Sequence, residues 1–510
     1  RTTWSSYGLR PHEDLFSFFS SNRIYMSESL KYKTIKGLSW NFIDTAASQI
    51  LRFVIGLILA RLLMPKDYGL IGIALIFINI FEQIIDGGFT NALIQKKAPT
   101  NKDYGTAFFC NLGISIVLYI ILFFCSPFIA AFFNEEQLVS IIRVISLIII
   151  IDAFMLVQKA KFTKLMDFKT LAKMSVVSSI LSGCIGIALA VCGFGVWSLV
   201  AQQTTRHLIN ASVLWYLSNG FVFVFSLNSF TTLFSFGSKL MFADLLDSIY
   251  KQIYQIVIGK VYTSITLGLY TRAYQFGSLF SVTISQMVQR VSFPALSSLQ
   301  NDDKRLLAAY RMLIKSTMYV SFPCMFCLAA VSRSMMITLV GEKWLNAVPY
   351  LQILCFSMVF TPLLVINMNI LKVKGRSDLY LILEIVKKAI GVIPIAIGIF
   401  TNIYWMLFGC VIENILVFLI NSFYSGRLIQ YNMREQIADI FPSFALALFA
   451  GVTLFSMSLI PISPYWLFPM QLLGGFTLII IVSEIVKLEA YSNIKSTVLS
   501  IIANRKKSLS

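Results

Sequence analysis

At 510 residues, with 57% hydrophobic and only 13% charged side chains and a mean hydropathy of +0.77, this chain carries about half the charge that a soluble domain needs on its surface. Its formal charge of +18 is of the size that nucleic-acid binding proteins carry. The basic residues, however, fall in alternate joints between apolar stretches rather than in one patch, which excludes a nucleic-acid partner and points to a lipid bilayer.

In chain order, residues 1–25 lack an apolar core of signal-peptide length and a small-residue cleavage site. They are expected to be a disordered leader outside the fold, with Met26 the preferred start. Apolar stretches of about twenty residues, the length that crosses a hydrocarbon core, then recur. They lie at 39–61, 69–93, 105–125, 138–158, 172–192, 195–217, 235–258, 267–289, 311–331, 347–371, 379–399, 402–424, 441–460 and 465–486. The fold class this predicts is an all-α integral membrane protein of about fourteen transmembrane helices. Lys31, Lys33 and Lys36 precede the first stretch, Lys96, Lys97 and Lys102 follow the second, and Lys159, Lys161, Lys164, Lys169 and Lys173 follow the fourth. The pattern continues to Arg505, Lys506 and Lys507, whereas the intervening joints are nearly bare. The positive-inside rule therefore places both termini in the cytoplasm, which requires an even number of spans.

The eight cysteines lie within or at the ends of apolar stretches, and nothing in their spacing suggests a disulfide framework or a zinc site. Cys324 and Cys327 have redox-motif spacing but sit in a span after Pro323, where core packing is the expectation. The only histidines are His12 and His207, and no phosphate-binding loop or metal-ligand motif appears, so neither metal nor cofactor is expected. The joints on the outer side are short, which argues against a polymerase or ligase needing a soluble catalytic loop. Transport is the function that remains.

An internal echo supports it. The run Ala60-Arg61-Leu62-Leu63-Met64-Pro65-Lys66-Asp67-Tyr68-Gly69-Leu70 aligns without gaps on Gly259-Lys260-Val261-Tyr262-Thr263-Ser264-Ile265-Thr266-Leu267-Gly268-Leu269. The two lie six spans apart and share an orientation, as parallel repeats do. The expected organisation is a lobe at 26–220, a second at 221–432, and two extra helices with a basic tail at 433–510.

A charge deep in a span costs about 2.5–3.5 kcal/mol on insertion scales, so each one needs a reason. Arg143, Lys315, Glu384, Lys387 and Lys388 lie near span ends, where long side chains reach the headgroups. Others form stripes at helical spacing: Thr45, Gln49, Arg52 and Gly56; Asn79, Glu82 or Gln83, Asp86 and Thr90; Gln203, Arg206 and Asn210; Asp244, Ser248, Lys251 and Gln255. Lys251 follows Arg52 by 199 residues, as Lys260 follows Arg61, so Arg52 and Lys251 are repeat mates. Paired cations at equivalent depth suggest an anionic ligand; the competing reading is scaffold ion pairs, Arg52 with Asp86 or Glu82 and Lys251 with Asp247 or Asp244.

These residues also carry a family resemblance. The run from Ala60 to Leu70, Asp86-Gly87-Gly88-Phe89, Ala92-Leu93-Ile94-Gln95, Gly195-Val196-Trp197-Ser198-Leu199-Val200, Gly268-Leu269-Tyr270-Thr271-Arg272-Ala273-Tyr274-Gln275 and Phe293-Pro294-Ala295-Leu296-Ser297 resemble bacterial polysaccharide flippases. These form a branch of the multidrug/oligosaccharidyl-lipid/polysaccharide exporter superfamily. The resemblance implies two parallel six-helix lobes around a central cavity, with two further C-terminal helices. It also implies that the protein, expected to be monomeric in the bacterial inner membrane, flips an undecaprenyl-pyrophosphate-linked oligosaccharide for surface polysaccharide assembly, alongside other assembly proteins. Arg52, Lys251, Arg206 and Arg272 are then the candidate substrate-binding cations, and Gln49, Asp86, Asp244 and Glu413 the candidate polar or ion-coupling groups. A multidrug or cation antiporter of the same superfamily is the alternative, and a membrane-embedded polymerase or ligase the more remote one.

Overall fold

The computed structural model describes residues 49–218 and 223–496. The leader, Thr45, and the Arg505, Lys506 and Lys507 tail lie outside the described residues. Within them the chain runs through a helix at 49–62 (α1), then Pro65–Asp86 (α2), Phe89–Gln95 (α3), Asn101–Phe133 (α4), Leu138–Ile145 (α5), Leu147–Lys164 (α6), Phe168–Val191 (α7), Val196–Leu217 (α8) and Leu227–Val261 (α9). It continues through Ser264–Ser297 (α10), Asp303–Leu339 (α11), Val348–Met358 (α12), Thr361–Val373 (α13), Ser377–Ile390 (α14), Val392–Phe400 (α15), Ile403–Ile429 (α16), Met433–Met457 (α17) and Pro464–Ile485 (α18). No strand occurs among the described residues.

Nine helical segments among these residues are long and apolar enough to cross a membrane. Helices α1, α8, α9 and α10 and the α14–α15 pair lie over the remaining apolar stretches without meeting that criterion. Polar residues lower the hydropathy of three of them: Arg206 and His207 on α8, Asp244, Asp247 and Lys251 on α9, and Arg272 and Arg290 on α10. The helices start where their sequences supply caps. Asp167 Oδ1 accepts the Thr170 amide at 3.2 Å before α7, Thr263 Oγ1 that of Thr266 at 3.1 Å before α10, and Asn402 Oδ1 that of Trp405 at 3.2 Å before α16.

The chain divides into two compact units. The first comprises the chain up to Leu59, Phe77–Ile129 and Leu138–Ser248; the second comprises Ala60–Ile76, Ala130–Gln137 and everything from Ile249 onward. In the first unit, α2 breaks from α3 at Gly87 and Gly88, whose φ angles of 50° and 71° are left-handed. Asp86 Oδ1 accepts the Thr90 amide at 3.1 Å and restarts the helix. A side chain at Gly88 would also overlap the backbone of Gly237. Gly88→Ala therefore combines left-handed strain, about 1–2 kcal/mol, with overpacking of about 1–3 kcal/mol. Thermal unfolding in detergent should show a lowered midpoint for it and no loss for Gly113→Ala, where nothing lies within 4 Å of the added carbon.

In the second unit the starts of α2 and α10 cross at glycines. A Cβ on Gly69 would overlap the carbonyl of Ser264, and one on Gly268 would overlap that of Pro65. Pro65 and Ser264, Gly69 and Gly268, and Gly72 and Thr271 are all separated by the repeat offset of 199 residues. The contact set is thus closed under exchange of the two segments. A Cβ on Gly268 would lie 3.0 Å from the nitrogen of its mate Gly69, and one on Gly72 would lie 3.7 Å from Thr271 Oγ1. The aligned sequences are therefore also aligned in space, about a local two-fold relation, with glycine allowing the backbones to meet.

Later in the same unit, α17 and α18 pack on α11. Arg311 binds Asp439 through Nε at 2.8 Å and Nη2 at 3.1 Å, and Tyr431 donates to the same carboxylate at 2.6 Å. Lys315 lies 3.3 Å from Asp439 and 2.7 Å from Glu489. Tyr319 and Ser483 share a hydrogen bond of 2.8 Å, and Gln471 donates to Leu454 O at 2.8 Å.

Candidate functional site: a charged cavity in the first unit

A cavity of about 550 Å³ lies within the first unit, its charged lining supplied by four helices. Arg52 comes from α1, Glu82, Gln83 and Asp86 from α2, Asp152 and Lys159 from α6, and Arg206, His207 and Asn210 from α8. Helical periodicity puts them on common faces: Glu82 with Asp86 and Arg206 with Asn210 at i+4, and Asp152 with Lys159 at i+7. Helix α7 contributes Ser175 and apolar side chains including Phe168, Leu171 and Met174. One wall is thus greasy and the other charged.

The charges are balanced and close together. Arg206 has Arg52, Asp152 and Glu82 as its electrostatic neighbours. Glu82 in turn lies beside Asp152, His207 and Lys159. His207 Nδ1 and Asp152 Oδ1 share a hydrogen bond of 2.6 Å. With His207 neutral, the lining holds three cations, Arg52, Lys159 and Arg206, against three carboxylates, Glu82, Asp86 and Asp152. Arg offers a planar fork of donors that matches phosphate or carboxylate oxygens, and Lys a point charge.

Among the residues marked out by sequence, the structure brings together Arg52, Glu82, Gln83, Asp86, Arg206 and Asn210. Gln49 and Asp244 are exposed and do not line this cavity. Lys251 is exposed in the second unit with Tyr274 as a neighbour. Glu413, also in the second unit, accepts a hydrogen bond from Tyr254 at 3.0 Å, and the same hydroxyl reaches Gly391 O at 3.1 Å. Arg272 is 3% exposed at the α2–α10 crossing. Its guanidinium stands 4.4 Å from the Tyr68 ring centroid and 5.4 Å from that of Trp344, and Nη1 donates to Gln275 Oε1 at 2.8 Å.

Three titratable lining residues are not marked as site residues by the sequence: Asp152, Lys159 and His207. Asp152 was detectable, since it is a carboxylate in the middle of an apolar stretch with a lysine two turns on. His207 follows Arg206 directly, yet only the fold shows that it meets Asp152.

Membrane-length helices around a charged interior make this an all-helical membrane transporter fold. Solved structures agree. Lipid II flippase MurJ in an inward closed conformation superposes with a TM-score of 0.69 at 16% identity, covering 88% of this chain and 98% of that one. An inward-facing multidrug resistance MATE family transporter of the MOP superfamily gives 0.58 at 15% identity, covering 76% and 98%. At such identities the likeness shows the fold alone.

The chain belongs to the polysaccharide biosynthesis protein family, which it matches over residues 58–349. Teichuronic acid biosynthesis protein TuaB of Bacillus subtilis is 27% identical over 443 residues, 84% of this chain and 90% of that one. Succinoglycan biosynthesis transport protein ExoT of Rhizobium meliloti is 28% identical, covering 66% and 69%, and lipopolysaccharide biosynthesis protein WzxC of Escherichia coli 25%, covering 72% and 76%.

Proposed function

We propose that this protein is a flippase, not an enzyme, that carries an undecaprenyl-pyrophosphate-linked oligosaccharide from the cytoplasmic to the outer leaflet of the bacterial inner membrane. The observation that carries this reading is the convergence of Arg52, Arg206 and Lys159 on one cavity. A pyrophosphate or an acidic sugar satisfies such cations, while the lipid tail stays in the bilayer. The polysaccharide-assembly names of its relatives support the same substrate class.

In this reading transport proceeds by alternating access, with both termini cytoplasmic and the protein acting as a monomer. Arg52 and Arg206, with Lys251 as the repeat mate of Arg52, bind the head group, and Gln49, Asp86, Asp244 and Glu413 are the polar and coupling groups. Arg272, clasped by Tyr68 and Trp344, engages substrate only when the α2–α10 crossing opens.

The test is deletion of the gene and complementation with the wild type, Arg52→Ala, Lys251→Ala and the double variant. Deletion should remove surface polysaccharide and leave precursor on the cytoplasmic face. Precursor accumulating on the outer face would show polymerisation to be the blocked step and refute flipping. Full rescue by a well-expressed double variant would refute the Arg52–Lys251 assignment.

A further inference from the structure

The balance of charge around Asp152 and His207 has a thermodynamic consequence. An anion entering a cavity with three cations and three carboxylates finds no net charge to match its own. Every carboxylate that stays ionised opposes it. The groups facing the Asp152–His207 pair are Arg206 on its own helix, Glu82 and Asp86 on α2, Arg52 on α1 and Lys159 on α6. From α7 the lining receives no charge. Two carboxylates, Glu82 and Asp152, stand together with an imidazole, the side chain type that changes charge nearest neutrality. Protonating any member of this trio raises the cavity charge by one.

We propose that Glu82, Asp152 and His207 form a proton-binding site positively linked to anion binding in the same cavity, so that the head group and a proton are bound together. The proton comes from bulk water and is shared within the trio; no bond other than its own N–H or O–H is made. The inference rests on the reading of this cavity as an anion site. Linkage is reciprocal: if a proton strengthens anion binding, the anion strengthens proton binding by the same factor. For one linked proton, anion affinity rises by up to about tenfold per unit fall in pH. The sign separates this chain from a cation exchanger, in which proton and substrate compete for the same carboxylates.

The experiment is calorimetric titration of the purified full chain in lipid nanodiscs with an undecaprenyl-pyrophosphate-linked sugar, a diester that does not itself ionise in this range, at pH 6, 7 and 8. Each titration is run in two buffers of different ionisation enthalpy, so that bound protons are counted. The expected result is uptake of up to one proton per anion and an affinity that falls as pH rises. Glu82→Gln combined with His207→Gln should bind the same probe with much weaker pH dependence. The wild-type proton count does not depend on how well that variant folds. Binding that is independent of pH and releases or takes up no proton would overturn the linkage while leaving the anion site standing. Absence of binding at every pH would remove the anion reading, and this inference with it.

Discussion

Replacing Arg52 and Arg206 together with glutamine is expected to abolish surface polysaccharide in complemented deletion cells. The cavity would then hold Lys159 alone against Glu82, Asp86 and Asp152. A site that was balanced would repel an anion. Two unit charges about 4 Å apart interact by roughly 4 kcal/mol at an effective dielectric of about 20. Even a third of that lost at each arginine lowers affinity by about 100-fold. Removing one side of a buried ion pair also destabilises by about 3–5 kcal/mol, so the amount of protein in the membrane has to be measured in parallel. Adding Glu82→Gln and Asp86→Asn to the double variant restores balance without restoring the forks, and should recover protein level more than transport. Arg52→Lys with Arg206→Lys keeps the charge and should retain part of the activity. Wild-type polysaccharide in cells carrying the double glutamine variant would show that these cations do not bind the substrate.

The second large effect is expected at the α2–α10 crossing. Gly69→Ala and Gly268→Ala should each be strongly damaging, and to a similar degree, because each new methyl group meets the other segment's backbone carbonyl rather than a movable side chain. Overpacking of this kind typically costs about 1–3 kcal/mol and sometimes more, against about 0.5–1 kcal/mol gained in helix propensity. Gly72→Ala adds a methyl at ordinary contact distance, 3.7 Å from Thr271, and should be tolerated. Protein yield, thermal unfolding in detergent and surface polysaccharide together give the readout. Tolerance at Gly268 with damage at Gly72 would contradict the crossing geometry. Arg272 reports on the same place: Trp344→Ala removes an aromatic neighbour of its guanidinium, together with the 2.9 Å hydrogen bond from Trp344 Nε1 to Ala60 O, and should loosen the crossing.

Much of this was legible in the sequence because membrane insertion imposes strong local rules. Apolar length marks the helices, and the 199-residue echo between Gly69 and Gly268 reappears as a reciprocal contact. The Asp86-Gly87-Gly88-Phe89 run, one of those that carry the family resemblance, has a local cause: two left-handed glycines, a capping aspartate and a close backbone neighbour. The stripe containing Arg206 and Asn210 lies on the charged interior of the first unit. The neighbours on that interior were not legible, since periodicity assigns a residue to a face but not to a partner across from it. Asp152 and His207 lie 55 positions apart, and only the packing of α6 on α8 joins them at 2.6 Å. Arg272 illustrates the converse. Its place in a motif of the second unit suggested substrate binding, whereas Tyr68 and Trp344, distant in sequence, enclose it.

Flipping itself is tested most directly in sealed liposomes containing the purified protein and a fluorescent undecaprenyl-pyrophosphate oligosaccharide in both leaflets. A membrane-impermeant quencher added outside reaches only the outer leaflet. The expected result is near-complete quenching with the wild type, and quenching of about half the signal in protein-free liposomes and in those carrying the Arg52→Gln, Arg206→Gln variant. Protection of half the signal with folded wild-type protein, in liposomes shown to be sealed and across pH 6 to 8, would contradict translocation of a lipid-linked anionic glycan.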